Sequence, residues 1–155
     1  MELQPESIPR GNERILAVDQ DQMMVISLRD ILQTLGYQVT TLTDGQEALK
    51  VFSEKPSEFN LVIADHTIPQ FDEIAQKMIR IRSDIPIIIC SIGDTISPEE
   101  VMIRGFRGLL EKPFTLRKTA EVVRHVLEKP ILLCSKCSRP NVLESGSADP
   151  KLLGA

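Results

Sequence analysis

Leu61-Val62-Ile63-Ala64-Asp65-His66-Thr67-Ile68-Pro69 is the stretch on which the fold turns. Its four apolar residues are too few for a helix and enough for a buried strand, and the carboxylate that closes them passes at once into a proline-containing loop. Three other polar groups close apolar runs in the same way. Asp19 follows Ile15-Leu16-Ala17-Val18, Ser91 follows Ile87-Ile88-Ile89-Cys90, and Lys112 follows Leu109-Leu110-Glu111 and precedes Pro113-Phe114. If these runs are parallel strands, all four groups meet on one rim, beyond the carboxyl ends where open sheets bind ligands.

Helical spacing fills the intervals. Met24, Leu28, Ile31, Leu32 and Leu35 predict a helix over about 22–35 with Gly36 as its stop, and 37–42 alternates as a strand. Thr43 with Gln46 reads as a capping box opening a second helix that carries Ala48, Leu49 and Phe52 inward. Phe71, Ile74, Ala75, Met78 and Ile79 give a third helix. Pro86 to Cys90 is the most β-branched run and predicts a central strand. Ser97-Pro98-Glu99-Glu100 is a strong helix start, and Gly105 ends that short fourth helix. A weak strand at 108–111 precedes a fifth helix over about 116–128 with Leu116, Ala120, Val123, Val126 and Leu127 inward. Five βα units in succession imply an α/β fold, a parallel sheet with helices on both faces and right-handed crossovers.

The bulk numbers bound the rest. A chain of 155 residues suits one domain with a real core. Residues 1–13 are polar, with Pro5, Pro9 and Gly11, and read as a linker; the domain spans 14–129; residues 130–155 read as a partly disordered tail. A net charge of −4 disfavours nucleic acid as a partner. No apolar stretch approaches the roughly 18 residues of a membrane span, and the polar lead Met1-Glu2-Leu3-Gln4-Pro5-Glu6 is no signal peptide, so a cytoplasmic location is expected. Three cysteines make no disulfide framework.

Asp19 and Asp65 in mutual reach favour a divalent cation, and a hard site with few protein ligands suits Mg²⁺. An aspartate beside such a metal, a hydroxyl and a lysine is also equipment for accepting a phosphoryl group. Any one of these residues alone is more simply a polar cap on a strand end. Four on successive strand ends are harder to dismiss.

With these residues in view, the stretch from about Arg14 to Leu127 resembles the receiver domain of two-component response regulators, including receivers fused to hybrid sensor histidine kinases. The resemblance rests on Val18-Asp19, on Leu61 to Asp65 with Pro69 four residues on, on Asp84-Ile85-Pro86 through Ser91, and on Glu111-Lys112-Pro113-Phe114. It implies a flavodoxin-like (βα)5 sandwich with strand order 2-1-3-4-5, and Asp65 as phosphoacceptor charged by a histidine kinase or histidine phosphotransfer protein. It further implies that Ser91 and Lys112 contact the phosphoryl group, that Asp19, Asp65 and the Thr67 backbone carbonyl hold Mg²⁺, and that Leu109 stands at the switch position. In that family the Lys112-Pro113 bond is often cis.

The chain departs from the family pattern at four places. Gln20 replaces a second acid that binds the metal, leaving Gln20 itself or Asp21 as a substitute ligand. The loop Pro69-Gln70-Phe71-Asp72-Glu73 lacks the usual glycine and is about two residues short, so its backbone is expected to take another path. Ile92 is bulky where a small residue borders the site entrance, and Leu109 lacks the aromatic ring. These departures support a rival reading, a degenerate receiver that acts as a phosphorylation-independent interaction module.

Two other readings are weaker. Asp19-Gln20-Asp21 also fits the nucleophile motif of haloacid-dehalogenase-type phosphatases, with Gly93-Asp94 as a late acidic motif, but Lys112 follows that motif instead of preceding it and Met23 stands where Thr or Val is expected. Cys134-x-x-Cys137 has no second pair to complete a four-ligand zinc site, although a dimer sharing two pairs is conceivable. His66 is expected at the surface, and Cys90 as a small core residue. The expected function is signal relay without turnover beyond slow self-dephosphorylation. Output is expected through protein contact, since no DNA-binding segment follows, while a homodimer is left open, as is the choice between a stand-alone receiver and a piece of a hybrid kinase.

Overall fold

The computed structural model describes residues 8–93 and 95–129. Asp94, the tail from Pro130 and both Cys134 and Cys137 lie outside them. Five strands, β1 (Arg14–Val18), β2 (Gln38–Leu42), β3 (Leu61–Asp65), β4 (Ile87–Ile92) and β5 (Gly108–Lys112), alternate with α1 (Gln22–Thr34), α2 (Gly45–Glu54), α3 (Phe71–Ile81), α4 (Pro98–Ile103) and α5 (Leu116–Glu128). The strands pair in parallel in the order β2-β1-β3-β4-β5. The parallel sheet is the one that the alternating pattern predicts, and its order is the flavodoxin-like one that the resemblance implies.

Both faces of the sheet are covered, which is why its central strands read as unbroken apolar runs and not as alternation. Leu16, Val18, Val62, Ala64, Ile87 and Ile89 pack under α2, α3 and α4. Ile15, Ala17, Leu61, Ile63, Ile88 and Cys90 pack under α1 and α5. Among the described residues no helix is long and apolar enough to cross a membrane.

Several expected boundaries shift. α2 is capped by Asp44, whose carboxylate accepts from the Gln46 amide at 2.9 Å, and not by Thr43. Asp and Thr both favour this position, and the residue immediately before the first helical turn holds it. In α1, Val25 is buried where Met24 was expected to be, and at the start of α5 Leu116 stays 36% exposed. β4 continues two residues beyond Cys90 because Ser91 and Ile92 pair with Glu111 and Lys112 of β5. The loop after Pro69 turns through Gln70 at φ 60°, the left-handed region, so a side chain is carried where glycine is the ordinary choice. Gly36 (φ 104°) and Gly105 (φ 91°) close α1 and α4 as expected.

Residues 8–13, read as the end of a linker, lie against the domain. The Gly11 amide donates to the Leu35 carbonyl at 3.1 Å, Arg10 donates to the Thr34 carbonyl at 3.0 Å, and Arg124 of α5 grips Glu13 at 2.7 Å. Ile8 packs against the core beneath α1 and α5.

Candidate functional site

Register brings the site together. Val18 of β1 pairs with Ala64 of β3, so the next residues, Asp19 and Asp65, leave adjacent strand ends. Asp65 pairs with Cys90 of β4, and Cys90 with Leu110 of β5. Lys112 lies two residues beyond Leu110, and its long side chain reaches back over β4 toward the carboxylates. Its Nζ stands 2.8 Å from Asp19 Oδ2 and 3.1 Å from Asp65 Oδ2, with all three side chains nearly enclosed.

Asp65 Oδ1 is held separately. The Thr67 amide and hydroxyl each donate to it at 3.0 Å, an Asx turn that ties the carboxylate to its own loop. Burial pushes the Asp65 carboxyl up, but the Thr67 amide, the Lys112 ammonium and the Thr67 hydroxyl together outweigh it and hold it below its ordinary value. Burial pulls Lys112 down, and Asp19 and Asp65 more than compensate, so its net shift is upward. Asp65 is thus an anion and Lys112 a cation at neutral pH.

A second Asx turn shapes the first loop. Asp19 Oδ1 accepts the Asp21 amide at 2.9 Å, and Asp21 Oδ1 in turn accepts the Met23 amide at 2.9 Å and the Met24 amide at 3.4 Å as the N-cap of α1. Asp19 Oδ2 faces Lys112 as an ion pair without a directed hydrogen bond to fill its lone pairs. Gln20, between the two acids, is exposed.

Ser91 is buried at the end of β4, and its Oγ has no hydrogen-bond partner among the described residues. Alternation along β4 puts it on the face opposite Cys90, away from the three charged groups. A buried hydroxyl without a partner costs about 1–3 kcal/mol, so an acceptor arriving at this rim would be stabilised by it. His66 Nε2 lies 3.4 Å from Thr95 Oγ1, linking the loops after β3 and β4. Ile92 projects at the rim, 68% exposed. Leu109 is half-buried against the core beneath α2, α3 and α4, and the Lys112-Pro113 bond is cis.

Asp19 Oδ2 and Asp65 Oδ2 converge on one point, now taken by an ammonium. A hydrated Mg²⁺ asks for one or two carboxylates and completes its shell with water and phosphate oxygens, and this donor set fits that demand. It does not form an all-protein cage: among the described residues no three His, Cys, Asp or Glu side chains converge. Asp19, Asp65, Ser91 and Lys112, singled out by strand-end position, therefore share one rim, with Ser91 turned from the rest. The Thr67 hydroxyl and the Asp21 cap were not foreseen, although Asp-x-Thr and Asp-x-Asp carry the two-residue spacing of Asx turns.

A family model described as the response regulator receiver domain matches residues 15–124. The two-component response regulator ARR10 of Arabidopsis thaliana is 32% identical over 140 residues, which span 88% of this chain and 25% of that protein. This chain therefore spans about a quarter of that relative's length. Among solved structures, the chemotaxis response regulator CheY4 of Vibrio cholerae superposes with a TM-score of 0.62 at 30% identity, covering 75% of this chain and 99% of that one. A response regulator receiver protein from Burkholderia phymatum gives a TM-score of 0.66 at 28% identity, covering 75% of this chain and 95% of that one.

Proposed function

Because the chain belongs to the response regulator receiver family, we propose that it accepts a phosphoryl group on Asp65 from a histidine kinase or histidine phosphotransfer protein and signals by protein contact. The observation that carries this reading is the ionised, buried Asp65 carboxylate fixed at Oδ1 by Thr67 and faced at Oδ2 by Lys112. Oδ1 takes two donors and Oδ2 one, so Oδ2 keeps a lone pair for attack. That oxygen forms the new bond to phosphorus as the P–N bond of a donor phosphohistidine breaks, and the imidazole leaves with the electron pair. Lys112 neutralises charge on the transferred group, and Ser91, whose unpartnered Oγ faces away from Asp65 before phosphorylation, would turn toward the rim to supply a hydroxyl to one of its oxygens. Mg²⁺, held by Asp19, Asp65 and the Thr67 carbonyl, would supply further neutralisation of the phosphoryl oxygens when bound.

Output would leave through α4, β5 and α5. Met102 and Ile103 of α4 are 62% and 84% exposed, an apolar pair suited to a protein partner or to a second copy of the chain. Residues 14–129 would form the receiver, with the lead before it and the tail after it as its connections.

Intact mass after incubation with Mg²⁺ and a small acyl phosphate tests the reading. One added phosphate on the wild type and none on Asp65→Asn is the expected result. A second reading, constitutive docking without phosphate, draws support from the exposed Gln20 and from Ile92 at the rim. Absence of any adduct, repeated with a promiscuous histidine kinase as donor, would leave that second reading in place.

A further inference from the structure

We propose that Asp21 is withheld from the metal site as the cap of α1, so that Gln20 alone sets a weak affinity for Mg²⁺ and Lys112 is the resident cation between Asp19 and Asp65. The proposal rests on the phosphoacceptor reading of the rim and specifies how that rim is charged.

Three observations carry it. The Asp21 carboxylate already accepts the Met23 and Met24 amides, two of the four donors that a helix start leaves without partners. Turning it toward Asp19 would uncap α1 and leave those amides without a partner. The Asp21 amide is itself bonded to Asp19 Oδ1, which fixes the chain direction between the two acids and leaves Gln20 exposed beside the rim. Lys112 meanwhile sits at hydrogen-bond distance from the two oxygens that a divalent ion would use, so such an ion has to displace an ammonium before it gains its ligands.

Two protein carboxylates against one lysine leave the cluster with a single net negative charge. Affinity for a hard divalent cation follows the count of charged oxygen ligands, and a neutral amide at position 20 does not restore the missing one. Loss of even an outer-shell partner typically costs 10–100-fold in metal affinity, so Gln20→Asp should tighten Mg²⁺ by about tenfold or more. Asp21→Asn keeps a side-chain oxygen for the cap and removes the charge. It should leave both Mg²⁺ affinity and thermal stability within about twofold and about 2 °C of the wild type.

The test is an amide NMR titration of the unphosphorylated chain with MgCl₂, comparing the wild type, Gln20→Asp and Asp21→Asn, with thermal melts as a check of folding. A tighter Gln20→Asp with an unchanged Asp21→Asn supports the assignment. A wild type that binds as tightly as Gln20→Asp overturns it, and so does a several-fold loss in Asp21→Asn. Mass measurement of phosphate uptake is independent of these titrations: if Asp65 takes no phosphate while Gln20→Asp still gains Mg²⁺, the phosphoacceptor role falls and the metal assignment stands.

Discussion

Asp65 and Lys112 stand 47 residues apart in the chain and 3.1 Å apart in the fold, across the end of the β4 strand that separates them. The ammonium also holds Asp19 at 2.8 Å, so its removal leaves two neighbouring carboxylates with no cation between them. Lys112→Met should lower stability at neutral pH by about 3 kcal/mol, toward the lower end for breaking an enclosed ion pair, because the rim still admits some water. The deficit should shrink at acidic pH, where a carboxylate can be protonated. Urea midpoints at the two pH values measure it, and an equal deficit at both would rule out the charge argument.

Ser91 makes the opposite case. Its hydroxyl is buried without a partner, so removing it costs the unphosphorylated protein nothing and relieves an unpaired donor. Ser91→Ala should be neutral to about 1 kcal/mol more stable by denaturant unfolding. The same variant should lose much of whatever change in partner affinity phosphate produces. A clear loss of stability would mean that the hydroxyl does structural work.

These two residues also show what a sequence can and cannot carry. The strands were legible because a parallel sheet covered on both faces needs uniform apolar runs, and Ile15–Val18, Leu61–Ala64 and Ile87–Cys90 supply them. The end of β4 was not, because pairing with β5 extends it to Ile92 and composition has no part in that. Strand-end position marked Asp19, Asp65, Ser91 and Lys112 as neighbours, yet which of them touch depends on register and pleat. Lys112 reaches both acids because it shares their side of the sheet, and Ser91, one residue past the Cys90 partner of Asp65, faces away. Asp44 was obscured by chemistry that the adjacent Thr43 shares, since either type can cap a helix, and Asp21 by the metal-ligand role its place beside Asp19 and Gln20 suggests.

Gln70 holds φ 60° at the entrance to α3, and its Oε1 accepts from Gln46 Nε2 at 2.7 Å. A non-glycine residue in this region typically costs 1–2 kcal/mol, and glycine gives part of that back through a freer unfolded chain. Gln70→Gly should therefore gain about 0.5–1 kcal/mol in denaturant unfolding. Gln46→Ala, which removes only the exposed hydrogen bond, should move stability by less than about 0.5 kcal/mol. A destabilised Gln70→Gly would mean that the side-chain contact outweighs the backbone strain.

Arg124 joins residues 10–13 to α5, bonding Glu13, the Tyr37 hydroxyl at 3.3 Å and the Arg10 carbonyl at 3.1 Å. Hydrogen bonding to Arg124 lowers the Glu13 carboxyl despite partial burial, in keeping with a persistent pair. Arg124→Ala should free this segment and speed tryptic cleavage after Arg10 severalfold, with a loss of global stability of about 1–2 kcal/mol. An unchanged cleavage rate would show that Gly11 and Ile8 hold the segment without it.

The charged rim fixes the sign of the pH response. Asp65 is held below its ordinary value in the fold, so its contribution is complete above the ordinary carboxylate range and is lost as pH falls through the folded value. Lys112 is raised, so its contribution is complete below the ordinary lysine value and is lost as pH rises through the folded one. Stability should therefore form a plateau from about pH 5 to about pH 9, bounded by the ordinary carboxylate and lysine values. Asp65→Asn removes a titrating group from the acid limb and one partner of Lys112 from the alkaline limb, so both limbs should flatten. The acid limb should persist in part, because Glu13 is also held down by Arg124. Urea midpoints across this range decide the matter: an acid limb as steep in Asp65→Asn as in the wild type would place the acid sensitivity elsewhere than the Asp65–Lys112 pair.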